Sequence, residues 1–130
     1  MLEDLFSHEY KKINKKNKIG IIGTNATIKS NVYEKKIKRI NQTISVCSLA
    51  TPLLAPMIES GFHNESIKKK IIATYLKDPI LNNITNLILG CTHYPLIKKQ
   101  IENFYQKQIT VISSLNSIGE YIKTELQKNN

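Results

Sequence analysis

The chain has no tryptophan, a single arginine (Arg39) and only two cysteines, Cys47 and Cys91, in 130 residues. Each scarcity removes a class of function. Two cysteines make neither a disulfide framework nor a metal-ligand set, which agrees with a reducing compartment. With one arginine and 7% aromatic residues, there is little to grip phosphates bidentately or to stack on bases. The net charge of +9 and the pI near 9.6 therefore read as solvated lysine faces rather than as a nucleic-acid surface. No uninterrupted apolar run approaches the roughly 20 residues of a membrane helix, and no charged-then-apolar leader precedes a cleavage site. The expectation is a cytoplasmic protein without a membrane partner. What is present is ordinary for a globular domain: 41% hydrophobic and 22% charged residues, enough chain for one domain with a core.

The organising stretch is Asn86-Leu87-Ile88-Leu89-Gly90-Cys91-Thr92-His93-Tyr94-Pro95. Leu87 to Leu89 is a short apolar run suited to a strand buried on both faces of a parallel sheet. It breaks at Gly90 into polar and reactive side chains, and Pro95 then suits a first helical turn continued by Leu96, Ile97, Ile101, Phe104 and Tyr105. That order puts Cys91 at the carboxyl end of a strand, where open α/β sheets bind ligands, facing helix amides that favour thiolate. His93, two residues on, can exchange a proton with it. The competing reading makes Cys91 a small apolar filler.

Around this stretch the pattern alternates between strands and helices. Ile19 to Ile22 reads as a strand, and Gly23 to Thr27 as a turn whose hydroxyls and amides can hold an anion. Thr27 or Ser30 can start the helix that Val32, Ile37 and Ile40 continue, and Thr24 and Thr27 can equally be mere helix caps. Thr43 to Leu49 reads as a second strand, with Cys47 packed inside it. Leu53, Leu54, Met57 and Ile58 form a helical face that ends near Glu59 and Gly61. Asn64 or Ser66 caps a helix with Ile67, Ile71, Ile72, Tyr75 and Leu76 as its buried stripe, and Pro79 breaks it. His8 and His63 look like solvent-side residues. Ile109 to Ile112 makes a further strand, and Ile118, Tyr121, Ile122 and Leu126 mark a last helix. The fold expected is α/β: an open, mostly parallel sheet flanked by helices. The boundaries are an N-terminal helix or linker over 1–17, the α/β domain over 18–112 and a C-terminal helical segment over 113–130.

Leu-Gly-Cys-Thr-His-Tyr-Pro resembles the second cysteine motif of the aspartate/glutamate racemase family, and of the glutamate racemases within it. Two more stretches resemble that family in the same order: Ile19-Gly-Ile-Ile-Gly-Thr-Asn-Ala-Thr27 with Ser30 and Tyr33, and Ala50-Thr-Pro-Leu-Leu-Ala-Pro-Met-Ile-Glu-Ser-Gly61. The family's opening Asp-Ser-Gly loop and its first cysteine motif, Cys-Asn-Thr, do not occur, so the chain resembles the C-terminal half of a glutamate racemase. The family's aspartate after the last strand is replaced by Ser113.

The resemblance implies one of two pseudo-symmetric α/β domains and a reaction without cofactor or metal. In it, two cysteines on opposite faces of the substrate α-carbon move a proton. It makes Cys91 the acid/base on one face, with Thr92 and His93 binding or activating. Glu59 would orient His93, and Thr24 and Thr27 would line the pocket. Cys47 matches no catalytic position. The function implied is interconversion of L- and D-glutamate to supply D-glutamate for peptidoglycan, by a truncated or split chain. Its partner would be a separate N-terminal half or a second copy. The alternatives are a catalytically inactive binding or regulatory remnant and, behind it, a basic nucleic-acid module.

Overall fold

The computed structural model describes residues 18–61 and 63–113. The helices expected over 1–17 and beyond Ser113 lie outside them. The described chain runs β1 (Lys18–Gly23), α1 (Asn25–Ser30), α2 (Val32–Ile40), β2 (Ser45–Ala50), α3 (Leu54–Glu59) and α4 (Glu65–Leu76). A 3-10 turn (Pro79–Leu81), β3 (Asn86–Leu89), a second 3-10 turn (Tyr94–Ile97), α5 (Lys98–Phe104) and β4 (Thr110–Ile112) follow. The four strands form one parallel sheet in the order β2-β1-β3-β4. This is the expected α/β architecture.

Burial explains the layers. The central strands β1 and β3 are β-branched or leucine-rich, and all of β3 is buried. One face carries Ile19, Ile21, Ile44 and Ile88 against Ile37 of α2. The other carries Ile22, Leu87 and Leu89 against Leu54, Met57, Ile72, Leu76, Ile97 and Ile101 from α3 to α5. Each such side chain, fully removed from water, contributes about 1.5–3 kcal/mol before the entropy of ordering is subtracted.

Topology then chooses the functional edge. The chain leaves β1 for β2 on one side and returns to β3 on the other side of β1, so the strand order reverses between β1 and β3. The crevice at the carboxyl ends of two such strands is where ligands of open α/β sheets bind. Those ends are Gly23 and Gly90.

Several local expectations are corrected. The helix placed after Thr27 or Ser30 starts earlier and in two pieces: Thr24 caps α1, and Asn31, at φ 56, breaks the path before α2. Asn tolerates this left-handed conformation better than most residues because its short side chain bonds locally. Asn64 rather than Ser66 caps α4, accepting from Ile67 N–H at 3.0 Å. Gly61, at φ 64, stands in the left-handed conformation just past α3. Ile67, expected in the buried stripe of α4, is 44% exposed, and Val32, Leu53 and Leu96, read on helical faces, are exposed as well, Leu96 by 72%. Each stands at or near the start of its element. Pro95 opens not an α-helix but a 3-10 turn closed by Tyr94 N–H to Cys91 O and Leu96 N–H to His93 O. The α-helical amides expected to face the thiol begin only at Lys98.

Candidate active site

Two glycines bring the strand ends together. Gly90 N–H donates to Ile22 O at 2.7 Å, and a Cβ built on Gly90 would lie 2.8 Å from that same carbonyl. Only a residue without a side chain permits this approach. Gly23 O in turn accepts from Thr51 N–H at 2.8 Å, which ties the end of β1 to the residue that follows β2.

Cys91 emerges from this junction half-buried. Its Sγ lies 3.7 Å from His93 Nδ1, and His93 Nε2 lies 3.4 Å from Glu59 Oε1 at the end of α3. The structure therefore sets Cys91, His93 and Glu59 in a row. In the tautomer that carries its proton on Nε2, towards the carboxylate, Nδ1 is an acceptor facing the thiol, and the imidazole can then take a proton from sulfur and return it. The His93 and Glu59 side chains are 39% and 58% exposed, so the pair adds little to stability; its effect is to fix ring orientation and tautomer.

The other sequence-derived candidates fall into two groups. Thr24 and Thr27 stand beside the glycine junction. Thr24 Oγ1 accepts from Thr27 N–H at 3.2 Å and donates to Thr27 Oγ1 at 3.0 Å, so both hydroxyls serve the cap. The Thr27 methyl lines the space above Gly23 and Gly90. Thr92, between Cys91 and His93 in the chain, is exposed. Cys47 lies half-buried on β2 against the larger core, where burial pushes its thiol pKa up and nearby Lys18 partly offsets this.

Sequence reasoning missed three neighbours. A Tyr33 ring carbon would lie 3.2 Å from a Cβ on Gly90, and the Tyr33 phenol is raised by burial and further by the charge of Cys91. Tyr94, fully buried, reaches Thr51: Tyr94 Oη is 2.7 Å from Thr51 Oγ1 and donates to Thr51 O at 3.2 Å. All three stand inside the stretches that resemble the racemase family, which was the signal that could have found them. Two cavities, of about 300 and 220 Å³, lie along α4 and near Leu96; Cys91, His93 and Glu59 line neither. Among the described residues no helix is long and apolar enough to cross a membrane.

Burial of Tyr94 has a measurable consequence. Desolvation pushes its phenol up to about 12 from 10.0, with the Thr51 hydrogen bond working the other way and Cys91 and Tyr75 adding to the rise. A raised folded-state pKa favours the protonated phenol. The stability it carries is intact below pH 10, falls as pH climbs from 10 to about 12 and levels off above. The size is on the order of 2 kcal/mol. Urea denaturation across that window should show a steep loss in the parent chain and a visibly shallower one in Tyr94→Phe. Equal slopes would contradict the assignment.

The profile of the Asp/Glu/hydantoin racemases matches residues 5–118. The chain belongs to this family. It is 46% identical over 110 residues to glutamate racemase of Enterococcus faecalis, covering 84% of this chain and 40% of that protein. It is 39% identical over 112 residues to that of a Sulfurihydrogenibium species, covering 86% and 43%. The crystal structure of glutamate racemase isoform RacE1 from Bacillus anthracis superposes with TM-score 0.74 at 34% identity, over 96% of this chain and 47% of that one. The Francisella tularensis glutamate racemase solved with D-glutamate gives 0.69 at 33%, over 96% and 47%. The chain thus spans less than half the length of these racemases.

Proposed function

We propose that this chain is the C-terminal half of a glutamate racemase site, working with an N-terminal half that carries the opposing cysteine. The observation behind this reading is the row of Cys91, His93 and Glu59 at the strand-order reversal, with contacts of 3.7 and 3.4 Å. On the face of glutamate that it meets, Cys91 as thiolate removes the α-proton, or as thiol delivers one. His93 holds the proton between turnovers, and Glu59 keeps the ring turned. The carbon acid is weak, so the rest of the work is positioning and donors aimed at the substrate carboxylate where charge develops. Thr92 and the Thr24–Thr27 loop are the groups on this half for that task. The product, D-glutamate, would serve peptidoglycan synthesis in the cytoplasm. No step calls on a cofactor.

One thiol reaches one face, so the chain alone should not racemise glutamate. Mixed with the N-terminal half of a glutamate racemase relative, it should do so, with deuterium from heavy water entering the α-position. A binding or regulatory remnant is the second reading. It would be upheld if no half restored turnover while glutamate still protected Cys91 from iodoacetamide. Racemisation by the isolated chain would refute the two-half reading.

A further inference from the structure

The loops after β1, β2 and β3 meet in a buried hydrogen-bonded knot that the site chemistry does not itself use. Thr51 and Tyr94 are both wholly buried. Thr51 N–H and Oγ1 both address Gly23 O, at 2.8 and 3.2 Å, and Tyr94 Oη addresses both oxygens of Thr51, at 2.7 and 3.2 Å. Two proton arrangements satisfy these contacts. Either the threonine hydroxyl donates to Gly23 O and the phenol to Thr51, or the hydroxyl donates to the phenol oxygen while the phenol donates to Thr51 O. In both, the phenol proton goes into Thr51.

Tyr94 is also the residue whose N–H closes the turn onto Cys91 O at 3.1 Å, and its neighbour is His93. The turn that bears the thiol and the imidazole is therefore anchored at one place from below. Polar atoms are expensive to bury, and a valine–phenylalanine pair would fill the same space without that cost. A contact fixed by direction, not only by volume, is what the hydroxyls add.

We propose that Thr51 and Tyr94 are positioning residues, a clamp that holds the Cys91–His93 turn in register with the Gly23–Thr27 loop so that sulfur and imidazole stay within reach of each other. This rests on the Cys91–His93 reading above. The raised phenol of Tyr94 agrees, since the clamp keeps its donor proton throughout the pH range in which a cysteine and a histidine exchange theirs.

The test is a double-mutant cycle on the full chain, reading alkylation of Cys91 by iodoacetamide at neutral pH, with peptide mass spectrometry separating Cys91 from Cys47. In the parent, His93→Asn should change the Cys91 rate by about fivefold, a coupling ordinary for groups in contact. In Tyr94→Phe, and in Thr51→Val, that factor should collapse towards unity, whereas Thr51→Ser, which keeps the hydroxyl, should retain it. A merely structural role would lower the unfolding midpoint and leave the factor intact in every background, which would overturn the clamp. Thr51→Val probes the same bond from the other side if Tyr94→Phe folds poorly. If His93→Asn leaves the parent rate unchanged, the Cys91–His93 reading itself fails and the clamp falls with it.

Discussion

Replacing Gly90 with alanine should cost the fold about 2–3 kcal/mol, the upper part of the range for forcing one extra carbon into a close-packed site. The added Cβ would meet Ile22 O at 2.8 Å, Tyr33 Cε2 at 3.2 Å and Thr27 Cγ2 at 3.5 Å. The first contact is with backbone, and that carbonyl already accepts the Gly90 N–H at 2.7 Å. Relief therefore requires the carboxyl ends of β1 and β3 to part, which weakens this bond at the point where the sheet is most buried. Gly20→Ala is the control. Its Cβ would be crowded at 3.1 Å too, but by side-chain methyls of Ile84 and Leu81 rather than by backbone, and a side chain can shift without parting two strands. Urea denaturation should show a large fall in midpoint for Gly90→Ala with an unchanged slope, and a clearly smaller one for Gly20→Ala. A Gly90→Ala chain within about 0.5 kcal/mol of the parent, the range of an ordinary surface change, would mean that the strand ends yield.

How much of this could be read from the chain depends on the distance over which each signal acts. Strand and helix identity are local. The apolar run Leu87–Leu89 and the alternating elements around it were enough for an open parallel sheet, and the structure has one. The exposure of Ile67, and of Val32, Leu53 and Leu96 on their helical faces, could not be read from the pattern, because helical periodicity says which residues share a face but not how much of it the fold covers. Asn31 misled because a left-handed residue between two helical turns has no composition signature beyond the asparagine itself. Cys91 and His93 were legible as a pair, being two residues apart at a strand end. Their alignment with Glu59, 34 positions away, was suggested by resemblance alone, since sequence spacing carries no information on which helix end meets which loop. The Thr51–Tyr94 contact, across 43 positions, gave no warning at all. Buried polar pairs of this kind are visible only once the packing is known, because each partner taken alone looks like an ordinary hydroxyl beside a proline.

With the opposing half supplied, Cys91→Ser should lower racemisation by about 10²–10⁴-fold, the usual span for removing a positioned proton-transfer group. The hydroxyl is close in size to the thiol but a far weaker acid, so His93, 3.7 Å from the native sulfur, would face a group much less able to give up a proton. Glutamate binding should change little, because the proposed site leaves the substrate's charged groups to Thr92 and the Thr24–Thr27 loop and calls on the cysteine where the α-carbon carries negative charge. The loss should therefore fall on kcat with KM nearly kept. Glu59→Gln should do less, since an exposed partner orients His93 without touching the reacting atoms and the amide can still accept its N–H. Deuterium incorporation at the α-carbon separates these effects. In Cys91→Ser, both racemisation and exchange from the face served by Cys91 should fall together by that large factor, while in Glu59→Gln both should slow by the same modest one. A Cys91→Ser complex that kept more than about a tenth of the parent kcat would take the thiol out of the reaction, because no positioned acid/base contributes so little.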